Sequence, residues 1–207
     1  MSFTATDLAA AERFSFPPEP VLPLSVQQYH AMIGAGILEV GTPIELLEGW
    51  LVRKMIKSPR HRVATRKARI ALENVVPNGW SVDVQEAITI ATADSEPEPD
   101  VSVIRGDTSR LLDRHPAPAE IGLLIEVSDT SLDRDRGWKR RLYSAAGVSV
   151  YWIVNLVDGQ VEVFSGPSGP TEQPDYATRS VYRPGDQVPV LLDGEAIGKI
   201  AVDDLLP

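Results

Sequence analysis

The sequence predicts an α/β (α+β mixed) protein built on a sheet with a parallel strand pair at its centre, with additional strands toward the C-terminus. Three observations carry this. Residues 121–127 and 151–157 are nearly continuous in apolar side chains, the pattern of strands covered on both faces. Residues 132–146 between them have helical periodicity, and strand, helix, strand in that order implies a parallel crossover at the sheet centre. Downstream, residues 160–207 offer short strands separated by Gly and Pro.

Taken in order, residues 1–24 form a proline-rich arm through Pro17, Pro18, Pro20 and Pro23, and residues 25–207 form a single domain. Ser25 is an N-cap for a short helix ended by Gly34 and Gly36. Residues 44–55 read as a hairpin around Glu48-Gly49. From Pro59 the pattern is helical, with Val63, Ile70, Leu72, Val75 and Val76 interleaved among basic residues until Pro77-Asn78-Gly79 stops it. Strand signals follow at 80–84, 87–92 and 101–104, with a proline-bearing turn at 94–99. Residues 106–120 are a long connection without periodicity. In the helix over 132–146, Trp138, Leu142, Ala145 and Ala146 form one apolar stripe, and Gly147 ends it.

Composition narrows the chemistry. A chain of 207 residues buries roughly 70% of its surface and supports one sizeable core. It has no cysteine, so disulfides, thiol nucleophiles and cysteine-ligated metals are excluded, and any metal sits on oxygen or histidine. The first 20 residues lack a basic and apolar leader pattern, and no apolar run approaches 18 residues. The expectation is a cytoplasmic protein with no membrane contact.

The net charge of −9 argues at first against a phosphate-rich partner. The charge is unevenly distributed, however. Arg53, Lys54, Lys57, Arg60, Arg62, Arg66, Lys67 and Arg69 place eight cations and no acid in 17 residues, leaving 12 basic against 29 acidic residues elsewhere, a balance of −17. A second cluster comprises Arg134, Arg136, Lys139, Arg140 and Arg141. Such runs are either solvated helix faces or phosphate-binding surfaces.

The positions of carboxylates carry the chemistry. Glu126 interrupts the apolar run 121–127, and burying it alone costs several kcal/mol, so it requires a cation, a proton or strong donors. Asp100 opens a strand after Pro99, and Lys139 lies on the helix that follows Glu126. These three residues are consistent with a buried Glu126–Lys139 ion pair and Asp100 as a strand-start cap, and equally with a metal site.

At these residues the chain resembles a known family. Pro99-Asp100, Glu126-Val127-Ser128, Asp135-Arg136-Gly137-Trp138-Lys139, Leu142-Tyr143, Gly147-Val148 and Tyr151-Trp152-Ile153-Val154, with Glu45-Leu46-Leu47-Glu48-Gly49 and His61 upstream, resemble the Uma-two endonuclease family. That family lies within the PD-(D/E)XK, restriction-endonuclease-like superfamily. The resemblance covers roughly residues 25–164 and implies a restriction-endonuclease-like mixed β-sheet flanked by helices. It further implies a divalent-metal site at Asp100 and Glu126, with Glu45 as a further ligand and Glu48 as a weaker choice, and Lys139 as the catalytic lysine. The plain superfamily pattern places lysine two residues after the acid, where this chain has Ser128; here the lysine comes from the next helix. Asn155 stands where the family often has Asp, a difference assigned to strand-end capping.

The expected function is a Mg²⁺- or Mn²⁺-dependent DNA endonuclease, since carboxylate oxygens favour hard cations that lower the pKa of bound water and neutralise phosphoryl charge. Lys139 then orients the attacking water or helps deprotonate it, and Asp135, four residues earlier, is placed either to hold its ammonium or to form an ordinary surface pair. The superfamily outcome is 5′-phosphate and 3′-hydroxyl ends. Arg60, His61, Arg62, Arg66 and Lys67 are the candidate nucleic-acid contacts. A homodimer is expected from the superfamily and from tail strands that offer a sheet edge. The competing class is a non-catalytic nucleic-acid-binding or assembly protein on the same fold; small-nucleotide hydrolysis is a third.

Overall fold

A computed structural model describes residues 21–39 and 41–207. Most of the proline-rich arm, residues 1–20, lies outside the described residues. Ser25 caps helix α1 (Val26–Gly34) through a reciprocal box with Gln28. Strands β1 (Ile44–Leu47) and β2 (Trp50–Arg53) pair antiparallel across Glu48 and Gly49, both at positive φ as a two-residue primed turn requires. Pro23 packs where a Gly49 Cβ would sit, and Leu24 N–H donates to the Gly49 carbonyl, so the turn is locked to the segment before α1.

Helix α2 (Pro59–Glu73) starts at Ser58, whose hydroxyl accepts from His61 N–H, with Pro59 in the first turn where its missing donor costs nothing. His61, Ala64, Thr65, Ala68 and Leu72 are its buried face, while Arg62, Arg66 and Arg69 are exposed.

The main sheet has six strands in chain order: β3 (Trp80–Asp83), β4 (Val101–Arg105), β5 (Ile121–Ser128), β6 (Val150–Asn155), β7 (Gln160–Pro167) and β8 (Tyr176–Tyr182). All neighbours are antiparallel except the central pair β5–β6, which is parallel as the crossover pattern requires. Period-two alternation divides the core. Val101, Val103, Leu123, Ile125, Val127, Trp152 and Val154 face α2 and a separate hairpin of β9 (Gln187–Leu192) and β10 (Glu195–Ala201). Leu124, Tyr151, Ile153 and Phe164 face the other way, toward Leu47 and the helical crossover with Leu142 and Tyr143.

The crossover is not uniform. α3 (Leu132–Arg134) runs into a π-helical turn (Asp135–Lys139) and then α4 (Arg140–Ala145). Its buried face is Asp135, Lys139, Leu142 and Tyr143, whereas Trp138 is only partly covered.

One expected strand is corrected. Residues 87–92 form a single bridge at Ile90 and a 3₁₀ turn at Ala91–Ala93. The stretch running back beside them contains Pro97 and Pro99, which have no N–H to extend a ladder. The Pro97 carbonyl accepts from Ile88 N–H, and the connection stays irregular.

Candidate active site

Glu126 is positioned by strand alternation. It shares the face of Leu124 on the central strand β5, and the register that pairs Val101 with Ile125 sets Asp100 opposite it at the strand ends. Lys139 reaches the same point from the π-helical turn and donates to Glu126 Oε1 at 2.9 Å. Tyr143, one helical turn on, donates its hydroxyl to the same oxygen at 2.8 Å. Glu45, on the β1–β2 hairpin, brings Oε2 within 3.1 Å of Lys139 Nζ, and Arg134 stands 3.6 Å from its other oxygen. Glu48 has turned away, accepting from Trp138 Nε1 and Arg141. The hairpin therefore contributes Glu45 to the site, while Glu48 pins the hairpin to the helix.

Asp100 is held from three sides. Its Oδ2 accepts from His61 Nε2 and Val127 N–H, each at 2.9 Å, and Oδ1 accepts from Gln85 Nε2 at 3.2 Å. Asp135 does not form a salt bridge with Lys139; its Oδ2 accepts the hydroxyls of Ser128 (2.7 Å) and Ser131 (2.6 Å). The position two residues after the acid is thus a serine that anchors the crossover helix.

Four buried carboxylates, Glu45, Asp100, Glu126 and Asp135, surround one buried ammonium, Lys139. Burial by itself would lower the lysine's pKa, but Glu126, Glu45 and Asp135 together outweigh it, so its proton is held more tightly than usual. Negative charge remains in excess. Burial, then repulsion from Asp135, Asp100 and Glu45, pushes Glu126 up to about 8 despite Lys139. Burial also raises Asp135. Asp100 moves the other way: burial opposes ionisation, but the His61 hydrogen bond and charge and the Val127 N–H prevail and lower it.

Glu45, Asp100, Glu126, Asp135, Lys139 and His61 line one cleft of about 50 Å³, room for an ion with a few waters. Among the described residues no set of three or more His, Asp or Glu side chains is gathered closely enough to hold a metal. The donor chemistry nonetheless suits a hard cation: oxygen ligands, no thiol, and an excess of negative charge that raises Glu126.

The basic segment divides between two tasks. His61 points inward to Asp100. Arg60 donates to the Leu156 carbonyl, and Lys67 donates to the carbonyls of Asp203 and Leu206, fastening the C-terminal segment to α2. Arg62 and Arg66 remain on the outer face, joined by Lys57 and Arg69 of the same basic run. Together they line a broad groove of about 590 Å³ next to the cleft.

The profile of the Uma2 family, described as "Putative restriction endonuclease", matches residues 26–197. The chain belongs to this family. Among solved structures it is similar to a crystal structure described as a putative nuclease belonging to DUF820 from Anabaena variabilis, at 18% identity and a TM-score of 0.63, covering 88% of this chain and 97% of that one. At that identity the likeness establishes the nuclease-like fold. No curated protein matches. The Uma2 match includes the hairpin carrying Glu45, helix α2, and the strands and crossover that bear Asp100, Glu126 and Lys139. Among the described residues no helix is long and apolar enough to cross a membrane.

Two features were beyond the sequence reading. The helical spacing makes Tyr143 a core residue, and its phenol is in addition a direct donor to Glu126. Glu162, fully buried on β7, is clamped by Arg136, Arg179 and Asn155, and no local pattern marks that contact because its partners come from three other elements. Asn155 also accepts from Val157 and Asp158 N–H, the strand-end cap expected of it.

Proposed function

We propose that this protein is a metal-dependent DNA endonuclease that hydrolyses phosphodiester bonds at the cleft of Asp100, Glu126 and Lys139. The observation that carries the reading is the charge imbalance: one buried ammonium among four buried carboxylates, beside a basic groove. Asp100 and Glu126 would hold Mg²⁺ or Mn²⁺ with waters completing its shell, and Glu45 would join them only by turning from Lys139. Such an ion supplies a more acidic bound water and neutralises charge on the phosphoryl oxygens.

The chain's own residues do the rest. His61 and Val127 N–H keep Asp100 ionised and fix its orientation. Tyr143 and Lys139 both approach Glu126 Oε1, so the other carboxylate oxygen is left for the cleft. Lys139 carries its positive charge on a helix rather than on the strand of the acid, and stabilises negative charge developing beside Glu126.

The test is nicking of supercoiled plasmid with Mg²⁺ or Mn²⁺. Wild type is expected to cleave, and Glu126→Gln and Lys139→Ala to lose cleavage; activity persisting in either variant removes that residue from the site. A second reading, a non-catalytic nucleic-acid-binding or assembly protein, is favoured by one observation: Lys139 and Asp100 are already engaged by protein partners. DNA binding with a steep salt dependence and no cleavage with either metal would select it. A homodimer remains part of the proposal. It would use the outer edge of β8, whose described partner is β7 alone and whose residues 177–180 are exposed. Sedimentation equilibrium tests it, a monomer at all concentrations being the refuting result.

A further inference from the structure

The groove beside the cleft has a composition that specifies its occupant. Arg62, Arg66 and Arg69 recur along one exposed face of α2, while the opposite face is buried in the core, so their spacing is rigid. At 1.5 Å per residue they span about 10 Å, about three axial steps of 3.4 Å along one duplex strand, which leaves each guanidinium a phosphate of its own. None of the residues lining the groove is aromatic, so it offers no platform on which unpaired bases could stack. Arg69 is also paired with Glu73 at 3.0 Å, in an exposed contact that a phosphate can displace.

Lys57 joins the two spaces, lining both groove and cleft. The other basic side chains of the cleft are committed: Lys139 to Glu126 and Glu45, Lys54 to Glu98, Arg134 to the Arg53 carbonyl, and His61 to Asp100. Lys57 makes no hydrogen bond among the described residues. Its ammonium stands 3.9 Å from Asp100 Oδ1, on a side chain nearly half exposed. Gln85, which lines the groove, donates to that same oxygen, so the floor of the groove touches the catalytic cleft directly.

We propose that this groove seats the backbone of one strand of duplex DNA, with Arg62, Arg66 and Arg69 on successive phosphates and Lys57 on the phosphate delivered to Asp100 and Glu126. The proposal rests on the nuclease reading and adds to it the groove that grips the backbone and a positioning residue, Lys57, that passes a phosphate to the cleft. Arg60 and Lys67, from the same basic segment, are not part of the grip.

Anisotropy titrations of a labelled duplex in metal-free buffer over a range of salt test the grip. The triple variant Arg62→Ala/Arg66→Ala/Arg69→Ala is expected to reduce the log–log salt slope by about 3. An unchanged slope, or tighter binding of single strands or RNA than of the duplex, overturns the assignment. Plasmid nicking at saturating protein tests Lys57. Lys57→Ala is expected to lower the slope by only about 1 but to reduce cleavage at least tenfold, with Lys57→Arg restoring most of it. Equal loss in both variants, or no loss in either, overturns the role of Lys57. If wild type never cleaves while the triple variant loses slope, the grip stands, and the nuclease reading falls together with the hand-over by Lys57. If wild type cleaves and Glu126→Gln does not, but the triple variant keeps its slope, the nuclease reading stands and the groove proposal falls.

Discussion

Glu126→Gln should make the metal-free protein more stable, and increasingly so as pH rises. The folded chain raises this carboxyl from its ordinary 4.5 to about 8, chiefly by burial, with neighbouring carboxylates adding to it. A raised carboxyl binds its proton more tightly in the folded than in the unfolded state. Its stabilising contribution is therefore complete below about pH 4.5, declines as pH rises, and is lost above about pH 8. At about 1.4 kcal/mol per pH unit the full window corresponds to on the order of 5 kcal/mol, and the part between pH 5.5 and 8 to roughly 3 kcal/mol. Glutamine keeps an oxygen for Lys139 and Tyr143 and removes the ionisation. Asp135 is raised as well, chiefly by burial; it is present in both proteins, and only its coupling to Glu126 enters the difference. Urea unfolding of wild type and variant in EDTA at pH 5.5, 7 and 8 measures the effect. The gap should widen by a few kcal/mol toward pH 8; a gap that is constant or narrows refutes the account of a carboxylate in excess.

Other perturbations read different parts of the structure. Glu162→Gln should cost a few kcal/mol at pH 7, because it leaves Arg136 and Arg179 without the buried carboxylate that both clasp. Glu162 is held down at about 2, so its stabilisation is present above pH 4.5 and lost as pH falls through about 2; acid-unfolding curves of wild type and variant should converge there. Lys67→Ala should cost about 1–2 kcal/mol in urea unfolding by freeing the carbonyls of Asp203 and Leu206, yet leave the salt slope of DNA binding unchanged. Gly122→Ala should cost about 1–3 kcal/mol, since a Cβ there would come within 2.6 Å of Leu192 and 2.7 Å of the Trp80 ring, and a thermal melt would record it.

Much of this protein was legible in its sequence because the decisive signals are local. Two apolar runs flanking a helical segment specify a parallel central pair, since only strands covered on both faces tolerate such runs. A carboxylate inside one of them announces a required partner, and Glu126 found Lys139, Tyr143 and the repulsion of its neighbours. Ser25 and the Glu48-Gly49 turn were equally readable, because caps and primed turns act within a few residues.

The tertiary structure decided what depends on long separations in the chain. It turned His61 inward to Asp100, 39 residues away, and sent Lys67 to carbonyls more than 130 residues away. It set Glu45 beside Lys139 and turned Glu48 to Trp138, on a hairpin whose position the sequence does not encode locally. It inserted a π turn that presents Lys139 and Asp135 to the core in place of the stripe through Trp138. It also denied residues 87–92 a ladder, because the prolines in the returning stretch had no hydrogens to offer. Residue type and spacing settle which groups need partners; only the packed chain settles which partners they meet, because a buried charge is stabilised by whatever reaches it through space.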